Sequence, residues 1–131
     1  MINFLKKYFH HIFYPIAWTI IVLILLTLPG SMLPQEKAFA IPNFDKLVHM
    51  SLFGGFVLLW SLYFNKKIIN HRKLLIIFFR IFIIASLYGA TTEFIQKYIP
   101  SRDFDIADIL ADVAGAAIAY GIANIFLSRF E

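Results

Sequence analysis

The stretch Asp105–Leu127, "DIADILADVAGAAIAYGIANIFL", decides the fold. Ala107, Ala111, Gly115, Ala119 and Ala123 recur every fourth residue, so in a helix they form one stripe of small side chains on which another backbone can rest closely within a bilayer. Asp108 and Asp112 are also four apart and share one face beside that stripe. Asp105 stands one turn earlier as a natural N-cap, with Asp108 in capping-box position. Small residues on one face and carboxylates within an apolar run describe an inner helix of a membrane bundle, with a polar layer near one end.

The rest of the chain agrees. Its mean hydropathy is +0.76 and only 15% of its residues are charged, against about a quarter in soluble domains. Four apolar segments, at about 12–28, 47–64, 74–98 and 105–127, each suffice to cross ~30 Å of hydrocarbon. Prolines 29, 34, 42 and 100 and the basic turn "NKKIINHRK" separate them. The reading is all-α: a four-helix transmembrane bundle in a single membrane domain over residues 1–131. Ser51 with Gly55 and Ala85 with Gly89 repeat the small-residue spacing, so helices two to four should form the tight core. The first helix has no such stripe and should pack at the periphery. Lys6 and Lys7 before an apolar run, with "AFA" at Ala38–Ala40, also fit a secretory leader, but the run is long for one and a retained helix is the better reading.

Lys and Arg set the orientation. Lys6, Lys7, Lys66, Lys67, Arg72, Lys73 and Arg129 fall on one side, against Lys37, Lys46, Lys97 and Arg102 on the other. This bias predicts a multi-pass protein of a bacterial cytoplasmic membrane with both termini cytoplasmic and the polar layer near the outer surface. Arg80, within the third segment, is explained by snorkelling to the cytoplasmic interface. The basic residues lie in a short turn between spans rather than on a soluble module, which speaks against a nucleic-acid partner. With no cysteine, thiol chemistry and thiolate ligation are excluded.

Five of the eight acidic residues, Glu93, Asp103, Asp105, Asp108 and Asp112, fall within twenty positions. Glu93 and Gln96 share a face of the third helix, and Asp45 and His49 are four apart at the start of the second. Three helices therefore bring carboxylates, an amide and an imidazole to one layer, with Lys46 and Arg102 at its rim. Ionisable groups at membrane depth must face one another, water or a ligand. A purely structural network is the plain alternative, although buried ion pairs often add little net stability. For chemistry, His49, Glu93 and Asp108 are the candidate catalytic groups, with Asp45 or Glu93 orienting the imidazole. Asp45, Lys46, Gln96, Arg102 and Asp112 are the candidate ligand-binding residues, with Lys46 and Arg102 suited to phosphate or carboxylate. Ser51, Thr91, Thr92 and Ser101 lie in no nucleophile motif, so an enzyme here would activate water. No cofactor is expected; a divalent cation is chemically possible, though no known ligand spacing is matched.

"DKLVH" at Asp45–His49, "EFIQ" at Glu93–Gln96, "PSR" at Pro100–Arg102 and "DIADILADVAG" at Asp105–Gly115, in this order and spacing, resemble the VanZ-like family of small bacterial membrane proteins. Asp105 takes a position usually Ser or Thr, and Asp112 one that is often Asn. The resemblance implies an association with resistance to teicoplanin-type glycopeptides. Two function classes follow: a protein that binds membrane lipids or an anionic cell-envelope precursor headgroup, and a hydrolase or transferase acting on such a headgroup through His49 and the carboxylates.

Overall fold

The computed structural model describes residue 4 and residues 7–33 and 42–127. Lys6, Lys37, Arg129 and the "AFA" segment lie outside them. Among the described residues the chain is all-helical: α1 (Phe13–Thr27), a 3-10 turn (Gly30–Met32), α2 (Phe44–Lys67), α3 (His71–Gln96), α4 (Ile106–Ile122) and a final π-type turn (Ala123–Leu127). Three helices, Phe44–Lys67, His71–Gln96 and Ile106–Leu127, are long and apolar enough to cross a membrane. The first is shorter than the sequence suggested. Its 15 residues extend only ~22 Å, because Pro29 drives Leu28 into extended backbone (φ −65°, ψ 142°) and stops the helix.

The other ends follow equally local rules. Asn43 adopts the left-handed conformation (φ 56°, ψ 36°) after Pro42, and α2 begins at the next residue. Lys66 and Lys67 close α2 where its dipole favours cations. Asn70 caps α3 by accepting from the Lys73 amide at 3.0 Å. Asp105 caps α4, accepting from the Ala107 amide at 2.8 Å. The capping box does not form: Asp108 turns to Lys46, and the Asp105 amide donates instead to Glu93 Oε1 at 2.7 Å.

The centre of the bundle is the α2–α4 contact, the most extensive between any two helices. Ala111, Gly115, Ala119 and Ala123 are buried along it, with Ala107 partly so. A Cβ on Gly115 would overlap the Met50 carbonyl and stand 2.6 Å from the Met50 Cα, so only glycine allows this approach. Phe53, Val57, Phe78, Ala85 and Ala116 fill the interior. Large apolar side chains such as Ile20, Ile24, Phe79, Ile83, Leu87, Leu110 and Ile118 point outward, the inverse of a soluble protein.

Helix α1 exposes one apolar face, yet it is tied in by polar hooks. The Trp18 indole donates to the Leu52 carbonyl at 2.9 Å and lies against Gly55, and the Tyr88 hydroxyl donates to the Thr19 carbonyl at 3.0 Å. Val22 and Leu26, one and two turns beyond these ties, reach the core.

Candidate functional site

The N-termini of α2 and α4 and the C-termini of α1 and α3 meet at one end of the bundle, and the polar residues gather there. The Lys46 ammonium forms the outer part, donating to Asp45 Oδ2 at 2.7 Å, Asp105 Oδ2 at 2.9 Å and Asp108 Oδ1 at 2.7 Å. All three ammonium donors are thereby used. Lys46 and its i−1 and cross-helix partners form because the first turns of α2 and α4 lie side by side, carrying Asp45 on one and Asp105 and Asp108 on the other.

The inner part is sealed. Glu93 and Asp112 have no exposed surface, His49 is 4% exposed and Asp108 9%. His49 Nδ1 is 2.8 Å from Asp112 Oδ1, and its Nε2 faces Asp108 Oδ2 at 3.8 Å. Asp112, rather than Asp45 or Glu93, therefore orients the imidazole. The pairing requires space on α3, and Gly89 supplies it: a Cβ there would come within 2.6 Å of Asp112 Oδ2. Glu93 spends Oε1 on the Asp105 amide, while its Oε2, like Asp112 Oδ2, is buried without a hydrogen-bond partner. Such an atom bears the full cost of desolvation unless something positive satisfies it.

Of the sequence-derived site residues, six converge here: Asp45, Lys46, His49, Glu93, Asp108 and Asp112. Gln96 and Arg102 do not join them. Both turn to the end of α1, where Gln96 Nε2 donates to the Leu26 carbonyl at 2.9 Å and Arg102 donates from Nε to Leu28 at 3.2 Å and from Nη2 to Leu25 at 3.0 Å. Those carbonyls are the orphan acceptors that any helix C-terminus leaves, and a guanidinium suits them in charge and geometry. Burial holds the Arg102 guanidinium below its ordinary pKa, opposed by the nearby Glu93 and Asp108 charges. Asp103, counted with the acids in the sequence, is exposed. On Asp105, the bond from Lys46, then that from the Ala107 amide, pulls the carboxyl below the usual carboxylate range.

Sequence reasoning placed Gly89 only in the small-residue spacing with Ala85 and missed both its place beneath Asp112 and the Gly30 crossing. Gly30 donates its amide to the Pro100 carbonyl at 3.2 Å, and a Cβ there would overlap the Ser101 carbonyl. This contact clamps the α1 exit to the loop carrying Arg102. A groove of about 350 Å³ lies on the neighbouring apolar flank, between Leu47, Ser51 and Gly54 of α2 and Gly115, Ile118 and Ile122 of α4.

The polar layer can do three things chemically: hold an anion through the partly exposed ammonium, hold a cation through the inner carboxylates and imidazole, or move a proton through the Asp112–His49 pair.

An all-helical bundle with three membrane-length helices and ionisable groups gathered inside one end defines a small polytopic membrane protein. The chain belongs to the VanZ/LLP1 family, whose model matches residues 3–127. No curated protein and no solved structure gives a significant match.

Proposed function

We propose that the protein binds the anionic headgroup of a membrane lipid or lipid-linked envelope precursor at the Lys46 end of the bundle, and thereby lowers sensitivity to teicoplanin-type glycopeptides. The observation that carries this reading is the exposure around Lys46. Two of its three partners, Asp45 and Asp105, have side chains 35% and 47% exposed, whereas Asp108 is only 12% exposed. Exposed ion pairs contribute little net stability. A phosphate or carboxylate can replace those two on the ammonium while Asp108 keeps it in place. Orientation supports an outward site: among described residues Lys7, Lys66, Lys67, Arg72 and Lys73 occupy the opposite end, against Lys46, Lys97 and Arg102 at this one. The family supports the link to glycopeptides.

The test is a lipid-resolved mass spectrum of the purified protein, beside teicoplanin susceptibility of cells expressing it. Wild type should retain an anionic headgroup and Lys46→Gln should lose both the headgroup and the protection. Retention of both in Lys46→Gln sinks the proposal.

The Asp112–His49 pair supports a second reading, a hydrolase or transferase in which the imidazole activates water against the headgroup. Under that reading His49→Gln keeps the bound lipid but abolishes release of a headgroup fragment from vesicles. Absence of any such release by wild type excludes it.

A further inference from the structure

We infer that the inner part of the cluster is a binding site for one divalent transition-metal ion of the Zn²⁺ or Mn²⁺ type, held by His49, Glu93 and Asp108 with Asp112 orienting the imidazole. This inference does not depend on the headgroup reading, although the two share Asp108, whose Oδ1 accepts from Lys46 and whose Oδ2 faces His49.

Four observations lead there. First, His49, Glu93 and Asp108 come from three different helices, are all buried, and each offers a ligand atom within 4.8 Å of the others. Tetrahedral zinc, with bonds of about 2.0–2.1 Å, sets its ligands roughly 3.4 Å apart. The His49 Nε2 to Asp108 Oδ2 distance is already 3.8 Å, and side-chain rotation can close the wider separations.

Second, Glu93 has no exposed surface, and with Oε1 occupied by the Asp105 amide its Oε2 has no donor. A buried carboxylate beside His49 and Asp108 with one oxygen lacking a donor calls for a positive partner. Third, Asp112 holds Nδ1 at 2.8 Å. A carboxylate on one imidazole nitrogen fixes the ring and directs the lone pair of the other toward a metal, the usual arrangement behind a ligating histidine. Fourth, the charges are unbalanced. Lys46 engages only Asp108 among the inner acids, and the hydrogen bonds of Arg102 go to α1. With Asp108 paired to Lys46, Glu93 and Asp112 are left to share one imidazole, each with one oxygen lacking a partner, and a bound cation adds positive charge there. One imidazole with carboxylates suits Zn²⁺ or Mn²⁺, whereas Ca²⁺ takes six to eight oxygens and Mg²⁺ keeps several waters.

The full chain, purified in detergent and stripped with chelator, is titrated with Zn²⁺ and Mn²⁺ by calorimetry, with Mg²⁺ and Ca²⁺ as comparisons. One Zn²⁺ or Mn²⁺ per chain is expected. His49→Gln and Glu93→Gln should lose this binding, and Asp112→Asn should weaken it roughly 10- to 100-fold. A His10→Gln/His11→Gln variant controls for adventitious sites at the N-terminal end and should bind as wild type. X-ray absorption of the zinc-loaded wild type gives an answer that needs no variant: one imidazole with oxygen ligands is expected. No uptake of either ion, preference for Mg²⁺ or Ca²⁺, binding that survives His49→Gln, or a spectrum with no imidazole would each overturn the inference.

Discussion

Gly115→Ala adds a single methyl group where α2 and α4 touch, and the structure sets its cost. The new Cβ would overlap the Met50 carbonyl and lie 2.6 Å from its Cα and 2.7 Å from its carbonyl carbon. Ordinary contact begins near 3.4 Å, so the helices must part by about 1 Å, a gap that forfeits a quarter to a half of each dispersion contact along the seam. Overpacking costs ~1–3 kcal/mol, and the upper part of that range applies because the obstacle is helical backbone rather than a flexible side chain. The same separation stretches the His49–Asp112 contact, since His49 and Asp112 stand beside Met50 and one turn from Gly115 respectively. Thermal unfolding in detergent, followed by Trp fluorescence, should show a fall on the order of 5 °C or more. Two other glycines calibrate the result. Gly121→Ala meets nothing within 4 Å and should melt as wild type, while Gly54→Ala first touches the Gly115 carbonyl at 3.4 Å and should change little. If Gly115→Ala melts with wild type, or Gly121→Ala falls as far, the packing argument is refuted.

Other outcomes follow from the two ends of the bundle. Arg102→Ala frees the Leu25 and Leu28 carbonyls and should destabilise by ~1.5–3 kcal/mol. Arg102→Lys, lacking the guanidinium fork, should restore less than half of the lost melting temperature; full restoration would mean that charge alone matters. Asp105 has a depressed carboxyl pKa in the folded state, so its stabilising effect is present above its ordinary value of 3.8 and lost as pH falls through the folded value. Melting followed from neutral pH into that acid range should therefore decline less for Asp105→Asn than for wild type, and parallel curves would discount the Lys46–Asp105 contact. For topology, reporter fusions at Lys73 should read cytoplasmic and at Lys37 external; the reverse would put the polar end inside the cell.

Much of this protein is legible in its own sequence, because the helical period of 3.6 is an intramolecular ruler. That ruler placed Asp108 with Asp112, aligned Ala111, Gly115, Ala119 and Ala123, and marked one polar layer in an apolar chain. Proline and Asp105 marked helix ends in the sequence; Asn70 caps by the same local rule, although the sequence reading began that helix three residues late, at Leu74. The family resemblance was carried by the same polar segments.

Which groups pair across the layer was decided only by tertiary structure. A period records angles around one helix axis and carries no information on the axial register or rotation of its neighbour. The register is set where glycine lets a neighbour close in: Gly115 on the Met50 backbone, Gly89 under Asp112, and Gly55 against Trp18. These contacts bring His49 to Asp112 rather than to Asp45, its own-helix neighbour at i−4. They also carry Gln96 and Arg102 away from the acids. The sequence shows two polar side chains near a polar layer, but the stronger demand comes from the α1 C-terminus, whose unpaired carbonyls exist in the bundle only because Pro29 ends that helix beside them.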